Sequence, residues 1–436
     1  MMRSMFSAIS GLRAHQTWMD VIGNNIANVN TTGFKVGRVR FTDILSQLVR
    51  GASGPTETRG GINPLQIGLG AVVGAVDTIH TQGALQLTGK PSDLAIQGDG
   101  FFVVSDGSQT LYTRDGAFDI GSDLRLVNPS NGFYVLGWQA DANGNVDTAG
   151  PVGPITIPIG QQLDAVPTTQ ITVQGNLDAR ENREAENRPH FVTKVTITDS
   201  LGMRHDVYIT FTKRVNSTNI WDYTITEDNP DTRDINEGDD NDYDISGGEV
   251  TGTLHFDENG NLIPQGADSD TNIPQVTITP STGAAEIVLT APSGLDFSRL
   301  TQLAAPYSAN AAANGAPAGS LTTFTVSQSG QVLGIYSNGV TKVIGQIALA
   351  LFTNPGGLMK VGGNAYLPTV NSGEPIVGPA DSSGRGKIAS GYLEMSNVDL
   401  AQEFTSMIMA QRGFQANSRV ITTSDEVLQE LVNLRR

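Results

Sequence analysis

The sequence predicts a mainly β protein with α-helical termini: two β-rich domains, the outer one inserted into a discontinuous inner one, and a paired N- and C-terminal helical coiled-coil domain. Three observations carry this. The 436 residues include 50 Gly and 20 Pro, with only 16% charged residues, a composition that suits many short strands joined by turns. A seven-residue apolar register occupies each end of the chain and is absent between them. The acidic residues crowd into the middle third.

The N-terminal register places Met5, Leu12, Met19 and Ile26 in one row, with Ala8, His15, Ile22 and Val29 in the next and Ile9 beside them. The C-terminal register runs Leu400, Met407, Phe414, Ile421 and Leu428, flanked by Phe404, Ile408, Leu431 and Val432. Ser396 followed by Asp399 fits a capping box at its start. At 1.5 Å per residue such helices are roughly 40 to 50 Å long. Two readings are open at this level: amphipathic helices packed on their own globular body, or stripes that become buried only between subunits. Glycine-rich or polar stretches separate both helices from the strands, which favours the second. On that reading the ends stay disordered in the monomer until neighbours cover them.

Between the helices, residues 31–75 read as an extended linker punctuated by Gly51, Gly54, Pro55, Gly60 and Gly61. Leu94–Val104, Leu111–Phe118 and Phe133–Trp138 read as strands, with Asp-Gly turns at Asp99, Asp106 and Asp115. A second set of antiparallel strands, from Gln170 to Thr290, suggests a small sandwich or barrel. A third runs from Leu321 to Phe352. The expected organisation is a terminal helical domain of 1–30 and 396–436, an inner β domain of 76–160 and 305–395, and an inserted outer domain of 161–304.

Charge follows the same division. Acids and bases number 12 and 10 in residues 1–160, 24 and 9 in 161–300, and 8 and 8 in 301–436. The net charge of −17 argues against a nucleic-acid partner, whose binding needs a basic face. The acidic block has the composition of a solvated outer domain, while the near-neutral ends suit packing against copies of themselves.

Catalytic and cofactor signals are lacking. Cysteine is absent, which removes disulfides, thiolate metal sites and a Cys nucleophile. His15, His80, His190, His205 and His255 show no ligand spacing, and no serine sits in a nucleophile elbow. Gly68, Gly70 and Gly74 lack the βαβ unit of a dinucleotide loop. Asp240, Asp242 and Asp244 alternate as in a calcium loop, but Ile245 and Thr251 stand where its glycine and glutamate belong. The expectation is a protein that is not an enzyme, with no cofactor, no metal and no small-molecule substrate. No run reaches the length of a membrane span, and residues 1–30 lack the features of a secretory signal.

The ends are specific. Ser10-Gly-Leu12 and the run Met19-Asp-Val-Ile-Gly-Asn-Asn-Ile-Ala-Asn-Val-Asn-Thr-Thr-Gly-Phe-Lys35 resemble the N-terminal signature of the flagellar rod and hook proteins. Gly391-Tyr-Leu-Glu-Met-Ser-Asn-Val-Asp-Leu-Ala-Gln-Glu-Phe404, continued by Ala410-Gln-Arg-Gly-Phe-Gln-Ala-Asn-Ser-Arg-Val-Ile-Thr-Thr423, resembles its C-terminal partner. The likeness extends through Gly98-Asp-Gly-Phe-Phe-Val103 and Tyr112-Thr-Arg-Asp-Gly-Ala-Phe118, fades across the acidic block and resumes after Leu321, covering roughly half the chain.

The resemblance implies a structural subunit of a hollow helical homopolymer in the extracellular flagellum. Its implied neighbours are the rod, the hook cap and the hook-filament junction proteins. The assembly interface would use Met5, Ile9, Leu12, Met19, Ile22, Ile26, Leu400, Phe404, Met407, Phe414, Ile421, Leu428 and Leu431. The family also implies passage through the flagellar export gate without a cleaved signal peptide. Phe41-Thr-Asp-Ile-Leu45 resembles the short export signal of such substrates, with Phe41 and Leu45 as its anchors; its plainer reading is a core contact of the linker. The large 161–304 block favours the hook branch over the shorter distal rod proteins, whereas the long linker resembles the rod branch. A secreted β-rich adhesin or surface-layer protein is the alternative from a different class.

Overall fold

The computed structural model describes the chain except residues 1, 53, 56–58, 143, 181–190, 215–216, 218, 228–242, 246–248, 265–270, 281–283, 291–293 and 434–436. Most of the acidic loop 227–249, including Asp240 and Asp242, lies outside the described residues. So do His190 and the side chains of Asp244 and Leu431. The fold is mostly β, and the terminal helices pack together. The chain divides into two compact units, the first of residues 1–158, 324–334 and 342–436, the second of 159–323 and 335–341.

Unit 1 begins with helix α1 (Met2–Ala27). It is followed by β1 (Gly37–Asp43), β2 (Ser46–Arg50), β3 (Leu65–Gly68) and β4 (Ala71–Thr78). The stretch expected to be a linker is thus a double hairpin: Val39 and Phe41 alternate with Arg38, Arg40 and Thr42 in a period of two, and β4 supplies the apolar partner strand Ala71–Thr78. β1 pairs antiparallel with β4, and β2 with β3. The β1–β4 hairpin packs on α1.

β5 (Leu85–Leu87), β6 (Leu94–Gln97), β7 (Phe101–Ser105) and β8 (Thr110–Thr113) lead into the main sheet. There β7 lies between β8 and Tyr134–Gln139, which itself pairs with Thr341–Leu351. Phe101, Val103, Tyr112, Trp138, Phe352 and Tyr366 form its core. β6 pairs with Lys387–Ser390, and β5 pairs with Tyr392–Glu394. These two pairings bring the returning chain beside residues 80–97, just before α2 (Leu400–Asn433) begins.

In unit 2, Phe191–Thr198, Arg204–Lys213, Ile220–Thr226 and Val250–His255 form an antiparallel sheet. Every second residue of Arg204–Lys213 is buried, the alternation of a strand with one face in the core. A second sheet departs from the expected antiparallel pattern, since Ile171–Asp178 runs parallel to Leu295–Leu303. Its other neighbour is Asn310–Ala313. Residues 305–323, assigned by sequence to the inner domain, therefore belong with unit 2. Trp221, Tyr223, Phe211 and Phe297 centre its core.

Candidate assembly surface and the buried junction beneath it

The two helices run antiparallel. Gly11 faces Asn417 and Gly413 faces His15; a Cβ on Gly413 would stand 2.6 Å from the His15 ring. Further along, Asn25 Nδ2 donates to Glu403 Oε2 at 3.3 Å, so α1 advances as α2 retreats. With Gly11 and Gly413, the buried Ala8 and Ala410 keep side chains small where the backbones approach. α2 starts one turn later than the expected cap: Asp399 Oδ1 accepts from the Ala401 N–H at 2.8 Å and is the N-cap, whereas Ser396 accepts only from the Val398 N–H.

This pairing sorts twelve of the thirteen positions predicted from sequence, the Leu431 side chain lying outside the described residues. Ile22 is buried, and Met5, Ile9, Leu12, Met19 and Ile26 are half-buried. Met407, Phe414, Ile421 and Leu428 are half-buried as well. Leu400 and Phe404 are exposed, and with Ile408 they form an outward ridge at a spacing of four. The expectation that all these stripes stay wet in the monomer is therefore corrected, because α1 and α2 cover part of each other. Among the described residues the bare large apolar side chains of α2 are Leu400, Phe404, Ile408, Met409, Val420 and Val427, of which the thirteen predicted positions included only Leu400 and Phe404.

Phe41 is also partly covered. Its ring meets Trp18 edge-on at 5.6 Å and His15 at 5.9 Å, which ties β1 to α1. Leu45, the other proposed export anchor, is 63% exposed.

Beneath the helices lies a junction of charges that composition and periodicity did not reveal. Glu394 is 1% exposed; its Oε1 accepts from Lys35 Nζ at 2.6 Å and its Oε2 from Arg114 at 3.3 Å. Lys35 Nζ also donates to the Thr81 carbonyl at 2.7 Å, Arg114 to the Gly98 carbonyl, and the Gly83 N–H to Glu394. Burial pulls the Lys35 ammonium below its ordinary pKa, opposed by the attraction of Glu394. Arg114 shifts the same way for the same first cause. Nearby, desolvation, then Lys35, Arg114 and Lys360, push His80 down to about 4.

The surrounding hydrogen bonds stitch both sequence signatures into this junction. Gly33, at φ 66°, donates its N–H to the Glu394 carbonyl at 2.7 Å. Any side chain there would meet the Asp115 backbone at 2.5 Å. Asp115 is buried and accepts from Thr32 Oγ1 and Asn128 Nδ2, so it is a junction residue and not the surface turn its Asp-Gly sequence suggested. Asn397 Oδ1 accepts from the Val36 N–H, and Asn25 exchanges hydrogen bonds with the Gly37 backbone. The repeated Asn, Thr and Gly of the two end motifs were the available signal; each satisfies backbone groups where the chain enters and leaves the helices.

Among the described residues no cluster of three acidic or histidine side chains is placed to hold a metal, and no helix is long and apolar enough to cross a membrane.

Comparison with known proteins agrees with this arrangement. Four family models match: Flagella basal body rod protein over residues 5–35, Flagellar hook protein FlgE/F/G D1 domain over 95–179, Flagellar basal body protein FlaE D2 domain over 164–316, and Flagellar basal body rod FlgEFG protein C-terminal over 389–434. The flagellar hook protein FlgE of Borreliella burgdorferi is 43% identical, with all of both chains covered. The flagellar basal-body rod protein FlgG of Bacillus subtilis is 31% identical, also over all of both chains. The crystal structure of Helicobacter pylori flagellar hook protein FlgE2 superposes with a TM-score of 0.50 at 16% identity, covering 71% of this chain and 100% of that one, a likeness of fold. This chain belongs to the flagellar hook protein family.

Proposed function

We propose that this hook-family subunit polymerises through its helix pair into a hollow helical tube that serves as a universal joint between rod and filament. One observation carries the reading: α2 packs chiefly on α1 and leaves Leu400, Phe404 and Ile408 bare along its outer side. Fully burying one such side chain contributes roughly 1.5 to 3 kcal/mol, so repeated burial between copies supplies a driving force for assembly. In this arrangement Ile22, Leu12, Met407, Phe414, Ile421 and Leu428 hold the pair together, and the ridge meets neighbouring copies. The subunit is non-catalytic and works as a structural part.

Its further partners on this reading are the rod, the hook cap and the hook-filament junction proteins. It reaches them through the export gate as an unfolded chain whose Phe41 and Leu45 are read before β1 forms. Electron microscopy of concentrated purified protein tests the polymer: curved tubes are expected, straight tubes point to the rod branch, and soluble monomers at every concentration reject the reading. Phe41→Ala is expected to lower secretion while the purified variant still polymerises; unchanged secretion removes the export assignment.

A further inference from the structure

We propose that Asn314 is a site of self-modification: the Gly315 backbone nitrogen attacks the Asn314 side-chain amide, and the residue passes through a succinimide to aspartate or isoaspartate. The chemistry needs only water, so it stands apart from the polymer reading. Five Asn-Gly pairs occur in the sequence, with asparagine at 131, 143, 259, 314 and 338. Glycine, lacking a Cβ, hinders such an attack least, so all five are eligible by sequence. The fold separates them. The N–H groups of Gly132, Gly144, Gly260 and Gly339 donate to the carbonyls of Asn128, Asp141, Asp257 and Tyr336 at 2.8 to 3.0 Å, closing their turns. A nitrogen must shed its proton to attack, and a bonded N–H holds that proton in place. The Gly315 N–H has no hydrogen-bond partner among the described residues.

The amide under attack is prepared as well. Asn314 Oδ1 accepts from the Thr169 N–H at 2.9 Å and from the Gln170 N–H at 3.0 Å. As nitrogen adds to Cγ that oxygen takes up negative charge, and two backbone donors already aimed at it favour the charged form. Asn131 and Asn338 each receive a single backbone N–H on Oδ1, from Phe133 and Val340. Asn314 Nδ2 donates to Thr169 Oγ1 at 2.8 Å, so the departing nitrogen leaves beside a hydroxyl that can relay a proton to it. A Cβ on residue 315 would run into Thr168 Oγ1, so packing keeps glycine at the attacking position. Asn314 itself is exposed, which admits water.

The step balances without oxidant or reductant. Solvent base takes the Gly315 proton, the bond from Gly315 N to Asn314 Cγ forms, the Cγ–Nδ2 bond breaks, and Nδ2 leaves as ammonia with a proton returned from solvent. Water then opens the ring at either carbonyl. Opening at one gives aspartate, whose carboxylate can still accept from Thr169 and Gln170. Opening at the other gives isoaspartate, which reroutes the backbone through Cβ and lengthens it by a methylene. That extra atom falls between the strand Asn310–Ala313 and the Val166–Ala316 bridge.

The test incubates the purified full chain in mildly alkaline buffer, folded in one arm and unfolded in guanidinium in the other. Peptide mapping by mass spectrometry follows all five asparagines, with aspartyl and isoaspartyl products separated by chromatography. In the folded chain Asn314 should convert first, about tenfold ahead of the other four, and give both products. In guanidinium that lead should vanish, because the paired N–H donors and the closed turns are gone. A folded chain in which Asn314 converts no faster than the others overturns the proposal. So does a lead that persists in guanidinium, which would make it a property of the local sequence and not of the fold.

Discussion

Lys35 Nζ stands 2.6 Å from Glu394 Oε1, and neither side chain reaches solvent. Lys35 closes the N-terminal signature and Glu394 lies within the C-terminal one, so a single ion pair joins segments 359 residues apart. Arg114 makes it a triad in which one carboxylate serves two cations. A buried ion pair is weak evidence of net stabilisation, but removing one partner strands the others. Glu394→Gln should therefore destabilise unit 1 by about 3 to 5 kcal/mol. Denaturant unfolding followed by hydrogen exchange should show the loss in unit 1 amides and not in unit 2. A change below about 1 kcal/mol would mean that water reaches the cations.

His80 packs edge-on against Phe101 and Tyr366, facing the positive charge of Lys35, Arg114 and Lys360. Its folded pKa of about 4 lies below the ordinary 6.5. Above pH 6.5 the imidazole is neutral in both states. Between 6.5 and 4 the unfolded chain takes up a proton that the folded one refuses, so stability falls as pH falls, by up to about 3 kcal/mol. Below 4 the loss levels off. Carboxylates titrate in the same window, so the measurement is a comparison: unfolding free energies from pH 7 to 4 should fall less steeply in His80→Phe than in the wild type. Parallel curves would show that His80 takes up its proton over the same pH range folded as unfolded.

The neck of unit 2 predicts how it can be removed. Leu163 pairs with Gly319 and Val166 with Ala316, so the entering and leaving chains run side by side. Replacing residues 167–315 by an Asn-Gly turn should leave unit 1 folded with its helix pair intact, because the turn closes an existing antiparallel register. A cut at 168 and 300 leaves Asn310–Ala313 without its partner strand Ile171–Asp178 and should aggregate. Far-UV circular dichroism and gel filtration of the two deletions distinguish the outcomes. If the 167–315 deletion does not fold, unit 2 is required by unit 1 and the insertion idea is wrong.

The strands were legible where one face is buried: Phe191–Thr198 and Ile220–Thr226 fall in the strand set read between Gln170 and Thr290, and Gln331–Tyr336 in the set from Leu321 to Phe352, because alternation survives every neighbour. Residues 31–75 were not, since glycine and exposed apolar side chains give a linker and an open ribbon the same pattern. The junction could not be read either. Lys35, Arg114 and Glu394 carry no periodicity, and they meet through tertiary contacts such as the pairing of β5 with Tyr392–Glu394 and the Gly33 N–H bond to the Glu394 carbonyl. On the helices the seven-residue rows identified an interface but not which one, because Met407 and Phe404 differ only in whether α1 or solvent lies opposite.

That difference decides the most direct test. Met407 and Phe414 are half-buried in the helix pair, and Phe404 and Ile408 are 52% and 53% exposed on the ridge. Asp at both 407 and 414 places carboxylates where α1 excludes water, which costs several kcal/mol or forces protonation. The pair should open in the monomer, seen as lost helical circular dichroism and fast exchange in α1 and α2. Asp at both 404 and 408 places the same charges in solvent, so the monomer should keep its melting temperature and helix content. Between copies, however, those charges lie in the contact, and tubes should not form at concentrations where the parent assembles. Unimpaired tubes from the 404 and 408 variant, with wild-type monomer stability, would show that the ridge faces solvent in the polymer.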